Sequence, residues 1–348
     1  MQLSMQISYT GGHQEAARQL VELEAAGLDI AWIAELYSFD APSLMGYLAA
    51  KTTRVQIGAG ILPLYSRTPT LIAMTAAGID ALSDGRCVLG LGASGPQVIE
   101  GWHGVPYDRP IGRTREIVDI CRQVWKREAP VVHDGPIYHV PLPADQGTGL
   151  GKALKIINHP VRAEIPIYIA SLGEKNVELT AEVADGWLPI FFVPEKARDV
   201  FGRALDAGLA KRDPALGPLD IAAGGLVAIG EESEVGHIRE FARPMTALYV
   251  GGMGHPELNF HKQRMARCGW PEAAERIQEL FLAGRRDEAV RAVPDDYLDE
   301  GCLVGPPARI RERWKAWETS GATGLMIHTQ QPEALELMAE LAGCEPRP

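Results

Sequence analysis

Eight short, largely apolar segments recur along this chain of 348 residues, and helical periodicity follows each of them. Strands that are apolar on both faces belong to a parallel sheet covered on both sides, and consecutive parallel strands need a crossover helix. At eight such units, the arrangement that leaves no strand edge open is a closed (β/α)8 TIM barrel. The strands are expected at 5–8, 29–34, 55–61, 86–92, 165–170, 186–190, 221–229 and 325–328. Helices are expected at 13–26, 42–51, 69–82, 112–126, 174–184, 194–211, 231–250 and 332–342. Gly27 stands where the first helix must stop in a left-handed residue, and Asp84-Gly85 reads as a turn into the fourth strand.

The rhythm breaks twice. Residues 128–164 contain VVHDGPIYHV, a hairpin pattern around Asp134-Gly135, followed by a glycine-rich run at 146–152. Residues 256–298 are helical and charged. Both are read as insertions into one domain spanning 1–348. The competing architecture is an open doubly wound sheet, because Gly90-Leu91-Gly92-Ala93-Ser94-Gly95 is a literal G-x-G-x-x-G after a strand. That fingerprint normally opens the first unit of a nucleotide domain. Here three β-α units precede it, so the barrel is the better reading.

Charge narrows the partners. With 45 acidic against 34 basic side chains the formal net charge is −11, which repels phosphate backbones and anionic lipid. No nucleic acid or membrane partner is expected. No apolar stretch approaches the roughly 20 residues that span a bilayer, and the first residues lack the basic and apolar regions of a signal peptide. The five cysteines (Cys87, Cys121, Cys268, Cys302, Cys344) form no C-x-x-C pair and are odd in number. A cytoplasmic protein is the expectation.

In such a barrel the site is built where the strands end. That rule selects Tyr9, Glu35, Gly60-Ile61, Gly92, Ser94, Gly95, Ser171, Leu172, Gly173, the run 190–192 and His328. The set holds no nucleophile–base pair and no metal-ligand spacing. It is rich in glycine and apolar residues, which suits a flat apolar cofactor. The segments 92–95 and 172–174 lead from strands into helix starts, where unpaired N–H groups attract anions; the alternative is that their glycines only serve tight turns. Glu35 is a candidate site carboxylate, against a structural ion pair in the barrel mouth. His328 is a candidate proton donor, against a satisfied structural histidine. Tyr37, Asp40, Gln97, Glu100 and Lys196 are weaker candidates, and Trp102-His103 reads as packing. The histidines of the insertions, His261 among them, suggest no metal site.

The motifs DIAWIAE, IGAGILPLYSRTPTLIA, DGRCVLGLGASGPQVIEGWHG and IPIYIASLGEKNVELTAEVADGW stand in this order over the first 193 residues. Their order and spacing resemble the bacterial luciferase-like superfamily, especially its coenzyme F420-dependent branch, which includes methylenetetrahydromethanopterin reductases. The segments VGPPARIRERW and SGATGLMI resemble it more loosely. The resemblance implies an oxidoreductase passing hydride between the deazaflavin coenzyme F420 and a small organic substrate, with FMN-dependent monooxygenation as the alternative cofactor chemistry. A protein that binds a flavin without turnover is a third reading. It further implies a homodimer, a ring lying over the strand ends, and a non-prolyl cis peptide between Gly60 and Ile61 in a bulge behind that ring. The related sugar-phosphate dehydrogenases follow the acidic residue with a histidine; here Leu36 follows Glu35, which argues against that activity.

Overall fold

The computed structural model describes residues 1–7, 12–253 and 259–343. At its centre is a closed parallel barrel of β1 (Gln2–Gln6), β2 (Ile30–Ile33), β3 (Gln56–Ala59), β4 (Cys87–Gly92), β5 (Ile167–Ala170), β6 (Gly186–Trp187), β7 (Asp220–Ile229) and β8 (Gly324–His328). Neighbours in sequence are neighbours in the sheet. Closure comes from β8, which pairs with β1 (Ser4↔Met326) and with β7 (Ala222↔Gly324). The expected barrel is therefore the observed fold, and the glycine run 90–95 ends its fourth strand rather than opening a nucleotide domain.

Several boundaries differ from expectation, and the helix expected at 231–250 is divided into Glu232–Val235, a tighter turn Gly236–Phe241 and Ala242–Gly252. β1 begins three residues earlier than expected, at Gln2, because its pairing with β8 extends to Gly324. β6 stops at Trp187, and the chain then turns through Phe191 at φ 54°. Two short parallel strands were not anticipated: Leu303–Gly305 extends the end of β7, and Leu62–Pro63 pairs with the end of β4.

Strand alternation divides the side chains into two cores. Outward residues such as Met5, Ile33, Ile57, Leu91, Ile169 and Ile327 pack beneath the helices. Inward residues Ile30, Trp32, Val88, Tyr168, Leu188 and Ala222 form a separate cluster inside the barrel, with Trp32 and Tyr168 ring centroids 5.3 Å apart. β3 leaves the barrel wall after Ala59, crosses the cis Gly60–Ile61 peptide, and re-pairs with β4 at Leu62. The Ala59 carbonyl then lies over β4, where a Cβ on Gly90 would come within 1.7 Å of its oxygen.

Between the helix Pro110–Lys126 and β5 the chain forms an antiparallel hairpin, His133–Asp134 against His139–Val140. Buried Glu116 anchors it, accepting the Tyr138 amide at 2.8 Å and facing His133 Nε2 at 3.1 Å. Four helices, Phe260–Arg267, Pro271–Leu282, Arg286–Arg291 and Asp295–Glu300, follow the helix Ala242–Gly252, and the first three pack against it. Among the described residues no helix is long and apolar enough to cross a membrane.

Candidate active site at the carboxyl ends of the strands

The floor of the barrel mouth is set by the bulge after β3. Ile61 leans inward and joins the interior cluster, together with Ala170 and Met326. It rests over Gly92, where an added Cβ would lie 2.9 Å from its side chain. A smooth apolar shelf results, and glycine on β4 is what leaves room for it.

His328 shares the inward row of β8 with Gly324 and Met326. Burial holds its imidazole below the ordinary histidine range, because a cation there would lose water without gaining a partner. It is neutral at pH 7, and its imidazole makes no hydrogen bond to any described residue. Gln6 occupies the matching inward position at the end of β1, in register with Trp32, and its side chain is exposed in the mouth. Sequence reasoning missed Gln6, although the alternation of polar Gln2, Ser4 and Gln6 with apolar Leu3, Met5 and Ile7 carried the signal.

Glu35 follows β2 and is buried. Both of its oxygens are engaged: Arg67 donates from its two terminal nitrogens at 2.5 and 2.8 Å, and the Ala41 amide donates at 2.8 Å. Arg67 also donates to Ser66 Oγ at 3.1 Å. Arg67 was not singled out from the sequence, since nothing in its spacing marks it as the partner of Glu35, 32 residues away.

On the opposite side, Ser94 takes φ 56°, and Gly95 begins the short helix Pro96–Ile99. Gly173 begins the helix Glu174–Val183, and no side chain caps either start. In the longer helix the Asn176 amide turns back to the Gly173 carbonyl at 2.9 Å, while no side chain caps the first turn. The Ser171 side chain turns into the barrel wall. Its hydroxyl is buried against Thr180 Oγ1 at 2.8 Å and its carbonyl accepts Trp187 Nε1 at 2.9 Å, so its side chain serves packing. Leu172 packs partly buried against the core. Tyr9 lies outside the described residues.

The later helices close this side. The Phe260 ring comes within 3.1 Å of a Cβ built on Gly173, and Met253 within 3.3 Å of one on Gly95. His261 stands between Tyr249 and Phe191, at centroid distances of 4.7 and 6.0 Å, and its Nδ1 is buried without a partner. Burial and the neighbouring Arg264 cation push its imidazole down to about 3. Arg264 in turn donates to the Phe191 carbonyl at 2.6 Å and the Tyr297 hydroxyl at 2.5 Å. Sequence reasoning placed His261 in an insertion and gave it no role; no local pattern could have brought it to β6.

The barrel thus carries an inward bulge after β3, glycines beneath it and two helix starts without side-chain caps beside it. A family model described as luciferase-like monooxygenase matches residues 2–324. The chain belongs to the luciferase-like monooxygenase family. Within that family, a Mycobacterium tuberculosis protein carrying the name of a coenzyme F420-dependent oxidoreductase is 41% identical over 347 residues, covering 98% of this chain and 99% of its own. A 5,10-methylenetetrahydromethanopterin reductase of Archaeoglobus fulgidus is 29% identical, with 91% of each chain covered. Among solved structures, the coenzyme F420-dependent tetrahydromethanopterin reductase of Methanopyrus kandleri superposes with a TM-score of 0.78 over 97% of both chains at 20% identity, a likeness of fold. The luciferase-like barrel described above fits a planar coenzyme: the bare backbone of Gly92 lets the Ile61 side chain lie flat as an apolar shelf, which a Cβ on Gly92 would displace, and the start of the helix at Gly173 offers N–H groups to an anionic tail.

Proposed function

We propose that this protein is a coenzyme F420-dependent oxidoreductase that transfers hydride between the deazaflavin and a small organic substrate. The observation that carries the reading is the Ile61 shelf over Gly92, flanked by the helix start at Gly173 that no side chain caps. The names of the relatives that align over almost the whole chain support the same cofactor. When bound, the deazaflavin supplies a ring carbon that gives or takes hydride.

The chain's own residues do the rest. Gly60 and Ile61 back the ring, with Tyr9 as a further ring contact, and Gly92 keeps the shelf clear. Backbone amides of Ser94, Gly95, Leu172 and Gly173 meet the phosphate-bearing tail, and Ser171 contributes backbone only. His328 is the catalytic proton carrier at its imidazole, since it is neutral, faces the mouth and is free of described hydrogen bonds. Glu35 acts as a positioning residue. Its oxygens are spent on Arg67 and Ala41, so it orients the guanidinium instead of carrying a proton. We further infer a homodimer working in the cytoplasm, in keeping with an acidic chain whose described cysteines are all unpaired and buried.

The test is cofactor titration of the purified protein. Coenzyme F420 is expected to bind at least about tenfold more tightly than FMN, a difference of about 1.4 kcal/mol. Tighter binding of FMN would replace the deazaflavin by a flavin on the same shelf.

A further inference from the structure

Four large apolar side chains stand exposed on the same end of the barrel as the shelf: Leu36, Tyr37, Phe39 and Trp102. The first three follow β2, and Trp102 follows β4. β2 and β4 flank β3 in the sheet, so the contact between the Tyr37 and Trp102 rings, with centroids 6.3 Å apart, joins the loops that follow the two strands on either side of β3. Phe39 meets His13 edge-on at 5.6 Å and borders a shallow surface depression that also touches Ile33, Asp40 and Leu44. Trp102 is about two-thirds exposed and Phe39 three-quarters exposed. Aromatic rings left in water on the rim of a site gain most by covering an apolar ligand.

Charge points the same way. Among the described residues on this side of the mouth, the guanidinium is Arg67, already paired with Glu35. A phosphate or carboxylate on the substrate would find this guanidinium already engaged by the Glu35 carboxylate, and would give up its water for little in return.

We propose that the substrate is an uncharged compound whose extended apolar body lies against Tyr37, Phe39 and Trp102, with its reacting carbon over the Ile61 shelf. The proposal rests on the coenzyme reading given above. The occupant of the rim is thus the substrate's apolar portion, not a macromolecule.

The experiment is calorimetric titration of the F420-loaded protein with 2-acetylnaphthalene, a neutral apolar ketone, and with 2-naphthoic acid, its charged counterpart. The ketone is expected to bind about tenfold more tightly than the acid. The double variant Tyr37→Ser/Trp102→Ser is expected to lose about tenfold in ketone affinity while holding F420 as the natural protein does. Absence of ketone binding, equal or tighter binding of the acid, or ketone affinity unchanged in the variant would each overturn the proposal. So would a change of sedimentation state in the variant, which would assign the rim to a second copy of the chain. Failure of the natural protein to bind F420 at all would instead overturn the coenzyme reading, and the two failures are distinguishable in one set of titrations.

Discussion

The Glu35 carboxylate and the Arg67 guanidinium face each other in a two-pronged ion pair at 2.5 and 2.8 Å, both largely out of water. Such a pair costs heavily when one charge is removed, because the other is left desolvated and alone. Glu35→Gln is therefore expected to lower stability by about 2–4 kcal/mol in urea denaturation. Adding Arg67→Met should recover at least half of the loss, since the orphaned charge is then gone. Full stability of Glu35→Gln would mean that the pair is not held in solution.

Two glycines on β4 separate backbone from side-chain constraint. A methyl on Gly90 would lie 1.7 Å from the Ala59 carbonyl oxygen, which belongs to the bulge and has nowhere to move. On Gly92 it would lie 2.9 Å from the flexible tip of Ile61. Gly90→Ala is expected to cost about 3 kcal/mol or more, or to prevent folding, whereas Gly92→Ala should cost about 1 kcal/mol and show chiefly as weaker F420 binding. Equal losses in thermal melts would contradict the geometry.

The barrel was legible because its evidence is local: apolar runs, crossover helices and glycine stops each sit within a dozen residues. The shelf was legible only through resemblance, in the motif around Gly60-Ile61. Glu35 could be placed at a strand end by counting, yet its partner could not, because the pair joins the ends of two different β-α units. His261 was beyond reach for a stronger version of that reason. It meets the site through Phe191, 70 residues earlier in the chain, and only tertiary packing of the later helices brings the two together. Ser171 shows a different limit. Counting put it at a strand end correctly, but its hydroxyl turns into the wall toward Thr180.

His261 carries a consequence for pH. Its folded-state value, about 3, lies below that of an exposed histidine, with Arg264 beside it and the Tyr249 and Phe191 rings around it. The unfolded chain therefore binds the proton more readily than the folded one. Stability is complete above the unfolded value near pH ~6.5 and is lost as the pH falls from there toward about 3. His261→Phe removes this contribution. Between about pH 6 and pH 4 the variant is expected to lose less stability than the natural protein, by up to about 1 kcal/mol per pH unit. Parallel curves of melting temperature against pH would show that the imidazole is reached by water.

The proposed homodimer has a face to match it. Helix Pro69–Leu82 reads PTLIAMTAAGIDAL, and its one ionisable residue, Asp80, is buried and held by Arg162. A helix apolar on all sides is covered on all sides. Its inner face, Ile72, Ala73, Ala76 and Ala77, packs on the barrel, but Leu71, Met74 and Leu82 point to solvent in the single chain. The adjoining helix Ala41–Ala49 carries no charged side chain and exposes Tyr47 beside them. Contiguous apolar surface of this kind on neighbouring helices is what an isologous dimer buries. Met74→Glu combined with Leu82→Glu places two carboxylates on that face and, through the symmetry, two more opposite them. The variant is expected to sediment as a monomer with an unchanged circular dichroism spectrum, while the natural protein sediments as a dimer at micromolar concentration. A natural protein that is monomeric, or a double variant that stays dimeric, would remove this face from the assembly.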